Sequence, residues 1–496
     1  MTINSLNFDA QELRNKILDL AMRGKLVKQD PNDEPASVLL DKINEEKEKL
    51  IKEKKIKKTK SLPKITDEEK PFNLPDSWEW VRFGNIVNFY LGKTPKRANS
   101  EYWENGQYPW VSISDMNSQE HLTKTKERIT AKALKDTFKN RLVPKNTLLM
   151  SFKLTIGKTV ILDESAVHNE AIISIFPIFN EDNITRNYLY YLLPLISNMG
   201  YATPAIKGKT LNKTLLNNLL IPLPPLEEQS RIADKIAQLF ALLRKVESST
   251  NQYEELQKLL QNKVLDLAMQ GKLVEQGDDE EPASVLLEKI RAEKAELIKE
   301  KKIKKTKPLP EITDEEKPFD IPDSWEWVRL GEVGNYIQRG RSPKYDKEKH
   351  DHPIISQKCI QWDFISLKDA KFVTEEFWNK LESYRFLQKN DILWNSTGTG
   401  TVGRVNIVKE DLDKVPVDSH VTLIRMNNNL IKDYIYYYLR APYIQKNLGD
   451  FLTGTTKQKE LGLSNILKIM IPLPPLNEQK RIVVKIEKLL PLINEE

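Results

Sequence analysis

Ile221-Pro222-Leu223-Pro224-Pro225-Leu226, followed by Glu228-Gln229 and Arg231-Ile232, recurs as Ile471 to Leu476, Glu478-Gln479 and Arg481-Ile482, an offset of 250 residues. The continuation of the same central stretch, from Lys263 through Trp325-Glu326-Trp327-Val328-Arg329-Leu330-Gly331, is matched without a gap by Lys16 to Gly84, an offset of 247. The block from Leu219 to Gly331 therefore occurs once whole and once cut in two, with the cut pieces at the two ends of the chain. Joining Glu496 to Met1 would rebuild a second copy, so the chain reads as a broken ring of two units. The segments between these arms are not obvious copies of each other. That pattern predicts a pseudo-twofold, circularly arranged repeat whose arms are alike and whose inserts differ.

A chain of 496 residues can hold two to four domains, each with its own core. No apolar run approaches the length that spans a bilayer, and the first residues lack the basic and apolar regions of a signal peptide. One cysteine, Cys359, excludes an internal disulfide framework and fits a reducing cytoplasm. The net charge is +6, and its distribution says more than its size. Residues 85–215 hold 17 Lys+Arg against 11 Asp+Glu, and 332–465 hold 20 against 17, so the inserts carry the positive charge and the arms are slightly negative. A basic bias on the variable parts suits a polyanionic partner.

Asp9-Ala10-Gln11-Glu12 is a capping box ahead of a short helix, with Phe8 and Leu13 as its staple and Gly24 as its stop. A second, highly charged helix is expected from Pro35 to Lys60, ending in the run Lys52, Lys54, Lys55, Lys57, Lys58, Lys60 that returns at Lys299 to Lys307. The run reads first as a solvated helix face and second as a phosphate contact. Trp78-Glu79-Trp80, repeated at Trp325 to Trp327, alternates like a strand with both indoles on one face. In the first insert Thr147 to Phe152, Thr159 to Leu162 and Ile172 to Phe176 read as strands, and Tyr188 to Ile196 as a helix. Asp391 to Trp394, Val405 to Val408, Val421 to Ile424 and Tyr434 to Leu439 echo that order in the second.

Leu226 to Gln270 contains no Gly or Pro. Ile232, Ile236, Leu239, Leu243, Val246, Tyr253, Leu260, Val264 and Leu267 fall near a four-three spacing, the pattern of a coiled-coil seam. The expected rod, about 68 Å long at 1.5 Å per residue, needs a partner for this stripe. The pieces from Asp9 and from Leu476, running antiparallel to it, are the natural ones.

Motifs for chemistry are weak. Gly398-Thr-Gly400-Thr-Val-Gly403 matches a dinucleotide fingerprint, but a strand-like run follows where a helix would have to begin, so a hairpin loop is the better reading. Gly-Lys-Thr at Gly92, Gly157 and Gly208 lacks the first glycine of a phosphate-binding loop each time. His350-Asp351-His352 with Cys359 lacks a fourth metal ligand at a convincing spacing. Neither an Asn-Pro-Pro-aromatic stretch nor a nuclease carboxylate cluster is present, so the chain reads as non-catalytic.

Ile-Pro-Leu-Pro-Pro-Leu-x-Glu-Gln before a long helix, twice, with Leu-Ala-Met-x-Gly-Lys-Leu, Pro-Ala-Ser-Val-Leu-Leu and Pro-Asp-Ser-Trp-Glu-Trp-Val-Arg, resembles the specificity subunit of type I restriction-modification systems. The resemblance implies two α/β (α+β) target recognition domains separated by long antiparallel coiled-coil helices. The division is 1–84 and 469–496 as the halves of the split arm, 85–218 and 332–468 as the recognition domains, and 219–331 as the central arm. It further implies a cytoplasmic DNA-binding subunit, each recognition domain reading one half of a split target. Its partners would be double-stranded DNA, two methyltransferase subunits and restriction-translocase subunits, with S-adenosylmethionine, ATP and Mg on those partners and no cofactor or metal in this chain. One departure is that the chain begins with a full arm half ahead of its first recognition domain.

Base-contacting residues do not follow from the resemblance. By chemistry, Arg and Lys suit guanine edges and phosphates while Asn and Gln suit adenine. The loop candidates are Lys93, Lys96, Arg97, Lys207 and Lys209 in the first insert, and Arg339, Arg341, Lys344, Asn395, Lys457, Gln458 and Lys459 in the second. Two other function classes fit the sequence less well: a coiled-coil scaffold whose inserts bind proteins, which a salt-dependent gel shift would separate, and a methyltransferase fused to recognition domains, which the missing catalytic motif argues against.

Overall fold

The computed structural model describes residues 9–117, 120–200, 203–205, 208–277, 279–346, 348, 351–453 and 459–494. They form two compact units, one reaching to Thr250 and the other starting at Asn251.

In the first unit, α1 (Ala10–Met22) starts where the Asp9 carboxylate accepts the amides of Gln11 and Glu12 at 2.9 and 3.0 Å. This is half of the expected capping box: no bond returns from the Glu12 side chain among the described residues. Phe8 of the staple lies outside the described residues. Helix α2 (Ala36–Lys52) stops eight residues before the expected Lys60, because the chain turns into the left-handed region at Lys54 (φ 55°). The lysine run therefore leaves the helix and continues as an exposed strap, and is not a helix face.

Strand β1 (Glu79–Arg82) brings the arm to the root of the insert. The insert then contributes β2 (Val87–Leu91), β3 (Leu148–Ser151), β4 (Thr159–Leu162), β5 (Ile172–Pro177) and α3 (Ile184–Ile196). The chain leaves through β6 (Leu220–Leu223), which pairs antiparallel with β1, Glu79 opposite Leu223 and Arg82 opposite Leu220. Entry and exit of the insert are thus stapled side by side. Its sheet runs β2-β5-β3-β4, antiparallel throughout, with the short strand His121–Leu122 parallel at the β4 edge. The insert does not sit apart from its arm: Leu18, Ile43, Trp78, Ile173, Leu189 and Ile232 share one core.

Helix α4 (Leu226–Met269) is continuous. In the second unit α5 (Ala283–Lys299), β7 (Glu326–Arg329), β8 (Gly334–Arg339), β9 (Ile392–Asn395), β10 (Val405–Ile407), β11 (Val421–Met426), α6 (Lys432–Arg440), β12 (Met470–Leu473) and α7 (Leu476–Asn494) repeat the order. The sheet runs β8-β11-β9-β10, and β7 pairs with β12 in the register of β1 with β6. In each unit a buried tyrosine of the insert helix donates to a proline carbonyl of the exit strand: Tyr188 to Pro222 at 2.5 Å, Tyr434 to Pro472 at 2.6 Å. Of each tryptophan pair only the first is buried: Trp78 and Trp325 lie in the core, while Trp80 and Trp327 are half-buried against Phe72 and Phe319.

The seam forms only toward the ends of α4. Helix α1 runs antiparallel to its first half: Arg14 meets Glu247 near its start, and Arg231 meets Asp33 in the turn beyond its end. Helix α7 runs antiparallel to its second half, with Gln257 donating to the Ile493 carbonyl at 2.8 Å and Arg481 paired with Glu280 beyond it. Ile232 and Ile236 are fully buried, and Leu239, Leu243, Val264 and Leu267 half-buried. Val246, Tyr253 and Leu260 are a correction to the expected seam, at 45%, 43% and 55% exposure. Length accounts for Tyr253, which falls between the stretches that 13-residue α1 and 19-residue α7 reach on the 44-residue helix, whereas Val246 and Leu260 lie beside contacts to those helices and are exposed all the same.

Candidate nucleic-acid interface

Both inserts present the same set of backbone features at the end of the sheet away from the arm. The first strand ends in a glycine, Gly92 or Gly340, whose amide bonds the carbonyl of Ile172 or Val421. A side chain there is impossible, because a Cβ would lie 2.1 Å from the Asn169 carbonyl oxygen in one insert and 2.0 Å from that of Val417 in the other. Opposite stand the loops around Asn169 and Asp418, which bond back to Val111 and Ile355. Beside them the strand-end residues Phe152 and Ser396 accept the amides of Leu211 and Leu461, which seats a hairpin, Thr203–Thr210 or Leu452–Leu461, on the same rim. One strand end, two loops and one hairpin thus converge in each insert.

In the second insert the rim is polar. Asn395 donates to the Gln357 carbonyl at 2.9 Å, Thr401 donates to the Gln357 side-chain oxygen at 3.2 Å, and His420 pairs with Thr397 at 2.6 Å. Beneath it Asp418, which accepts the His420 amide, is 1% exposed, and burial raises its carboxyl above the usual range. Gly398 (φ 103°) and Gly400 (φ 78°) turn the loop between β9 and β10. That loop is the hairpin connection expected of the Gly398–Gly403 motif, since β9 and β10 pair antiparallel. In the first insert His168 lies under the rim, 3% exposed, with burial pushing its imidazole down to about 4.

Several nominated side chains are already committed. Arg97 pairs with Glu127 and lies over the rings of Trp103 and Trp110, 4.0 and 4.6 Å from their centroids, an arrangement that holds a loop together. Lys93, exposed, reaches the Thr137 carbonyl at 3.3 Å, and Lys96 is exposed. Arg339 is on β8 and not in a loop, bonded to Glu460 and the Leu461 carbonyl, so it ties the strand to the hairpin. Arg341 pairs with Glu382. Lys344 shares Glu376 with Lys380, and the two hold that carboxyl down at about 2, Lys380 the larger influence.

Asn395 is the clearest correction. It ends β9, is 0% exposed and cannot reach a base from there, and its side-chain oxygen has no hydrogen-bond partner among the described residues. Lys459 is exposed beside the hairpin strand; Lys207, Lys457 and Gln458 lie outside the described residues, as does the side chain of Lys209, whose backbone is in the first hairpin. Sequence reasoning missed Gln357, Thr397 and His420, which come together from three separate segments. The one local signal was the glycine ending each first strand. Among the described residues no His, Cys, Asp and Glu cluster could hold a metal, and no helix is long and apolar enough to cross a membrane.

Known proteins share this architecture. The family model described as Type I restriction modification DNA specificity domain matches residues 75–257 and 322–495, once in each unit. The type I restriction enzyme EcoAI specificity subunit of Escherichia coli is 31% identical over 98% of this chain and 90% of its own length. The EcoEI specificity subunit of the same organism is 30% identical over 97% and 89%. A solved chain, from work on complex assembly and conformational transition of the type I R-M system, superposes with a TM-score of 0.53 at 20% identity, over 86% of this chain and 93% of that one. With the family model matching both halves and full-length relatives at this identity, the chain belongs to the type I restriction-modification DNA specificity family.

Proposed function

We propose that this chain is the non-catalytic recognition subunit of a type I restriction-modification complex, reading a bipartite DNA target with one insert per half-site. The observation that carries this reading is the duplication: two units have the same arm, the same insert topology and the same rim of two loops and a hairpin, yet different rim side chains. A framework kept alike with a surface allowed to differ is what two half-site readers require, since side chains at base edges set the sequence while the scaffold sets their position. The arms dock two methyltransferase subunits and, for cleavage, restriction-translocase subunits. S-adenosylmethionine, ATP and Mg belong to those partners.

The test is to express the chain with its methyltransferase subunits in a host and sequence the methylated motif, then to exchange 85–218 for the corresponding segment of a relative. One half of the motif changes and the other stays. A change in both halves refutes modular reading, and the absence of any motif refutes the assignment.

A further inference from the structure

Leu154 ends the short edge strand Lys153–Leu154 on the rim of the first insert, two residues beyond the fully buried Phe152. Its backbone is left-handed, φ 65°, and its side chain is 58% exposed. Both features are unfavourable for a leucine: the left-handed region crowds Cβ against the carbonyl, and the apolar side chain is left in water. The loop is not free to relax. Ser151 accepts the Lys158 amide at 3.0 Å and donates to the Thr155 carbonyl, while its own carbonyl accepts the Gly157 amide at 2.8 Å. Leu154 is also paired in register with Lys209 of the hairpin. In the second insert the positive φ values of the corresponding loop belong to Gly398 and Gly400, the residues that adopt them without strain. The first insert thus holds a large apolar side chain rigidly outward where glycine would serve the fold better. Strain kept at a rim of this kind points to a use there.

Resting on the DNA reading above, we propose that Leu154 is a specificity residue that packs against the C5-methyl group of a thymine in the major groove of the half-site read by the first insert. The thymine methyl is the one apolar feature the major groove displays, and aliphatic side chains are the complement to it. The rim supplies what such a contact needs: a fixed backbone, an exposed aliphatic group and neighbouring polar residues to bond adjacent base edges. Removing the contact exposes about one methyl's worth of apolar surface on each partner, which corresponds to a loss of binding on the order of four- to tenfold.

The experiment uses the full chain with its methyltransferase subunits and duplexes carrying the methylated motif, in which each thymine of that half-site is replaced in turn by deoxyuridine. At one position deoxyuridine weakens binding by the parent about four- to tenfold, and Leu154→Gly weakens binding to the thymine duplex by the same factor with no further loss on the deoxyuridine duplex. Leu154→Gly suits the backbone, so its thermal unfolding is no lower than the parent's. The inference is overturned if Leu154→Gly binds like the parent, or if its loss is the same on the thymine and deoxyuridine duplexes. If the parent does not prefer the motif over competitor DNA, the recognition assignment itself fails.

Discussion

Replacing Arg329 by methionine separates an insert from the arm that carries it. Arg329 is the last residue of β7, its side chain 5% exposed. Its guanidinium bonds the carbonyls of Pro310, Glu311 and Lys468 at 3.3, 3.2 and 2.9 Å, and both oxygens of Glu316 at 2.9 and 2.8 Å. One planar cation therefore joins the strap that follows the lysine run, the strand entering the insert and the segment leaving it. Arg82 does the same in the first unit with Pro63, Lys64, Asn218 and Glu69. Glu316 is 40% exposed and rehydrates when its partner is lost, so the cost comes mainly from the three carbonyl bonds and the emptied space. At about 1 kcal/mol per bond, Arg329→Met loses roughly 3 kcal/mol, the low end for breaking a buried pair from one side. With a urea slope of about 2 kcal/mol per molar, the transition of the second unit falls by about 1.5 M. Tryptophan fluorescence during urea titration reads it. Arg82→Met produces the same shift in the other unit, and the two effects add. A change under about 0.5 kcal/mol for Arg329→Met would show that the guanidinium is not what holds the insert's root.

Burial lifts the carboxyls of Glu228 and Glu478 above their ordinary value of 4.5, although Trp78 and Gln29, or Trp325 and Gln276, donate to them. A raised folded value favours the protonated form, so this stabilisation is whole below pH 4.5 and is lost as pH rises through the folded value. Changing both to Gln flattens the stability-pH curve between pH 4.5 and the folded value; an unaltered slope there contradicts the assignment. Arg97→Ala removes a cation that lies over two indoles, lowering stability by about 1 kcal/mol while leaving the salt dependence of DNA binding unchanged; a slope reduced by about 0.9 would make Arg97 a phosphate contact instead. Four residues inserted after Ser249, in the exposed stretch between Val246 and Tyr253, lengthen α4 by about 6 Å with only about 40° of rotation. The methylated motif should keep both half-sites and gain one or two base pairs of gap, set against about 34 Å per duplex turn. An active variant with the original gap would show that helix length does not set the spacing.

The arms were readable because they are written twice. The register of β1 with β6 repeats in β7 with β12, and α4 begins and ends within a residue of the Gly- and Pro-free run. The central strands of the inserts were legible as apolar runs bounded by turn residues. The small sheet of Tyr108–Val111 with Glu127–Ile129 and Val167–His168 was not, since two- to four-residue strands carry no period. Helix α2 was overextended because lysine is a good helix former, and nothing local signals that Lys54 turns left-handed. The rim was the least legible part. Composition marks cations, but whether a cation is free depends on partners distant in sequence: Glu127 for Arg97, Glu460 for Arg339. Asn395 looked like a loop residue because Ser396-Thr397-Gly398 follows it, and only the pairing of β9 with β11, Asn395 opposite Val421, places it inside.

Among the described residues each unit is a contiguous stretch of chain, although the arms are interleaved in the repeat pattern. On the ribosome the first half of α4 emerges when β1, β6 and α1 are already available, so Ile232 and Ile236 can be buried before any of the second insert is made. The second half of α4 shares its core with α5 and Trp325, but that core is not closed until α7, the last helix described, is synthesised. For the time taken to add more than 200 residues, Leu265, Ala268 and Met269 wait for Ile482, Val483 and Ile486. The nascent chain is thus a finished domain trailing a second core that still lacks its last helix. Chaperone demand and vulnerability to proteolysis should be concentrated in that interval, and pulse-labelled chains should yield a protected fragment ending near Thr250 before the full-length protein becomes resistant.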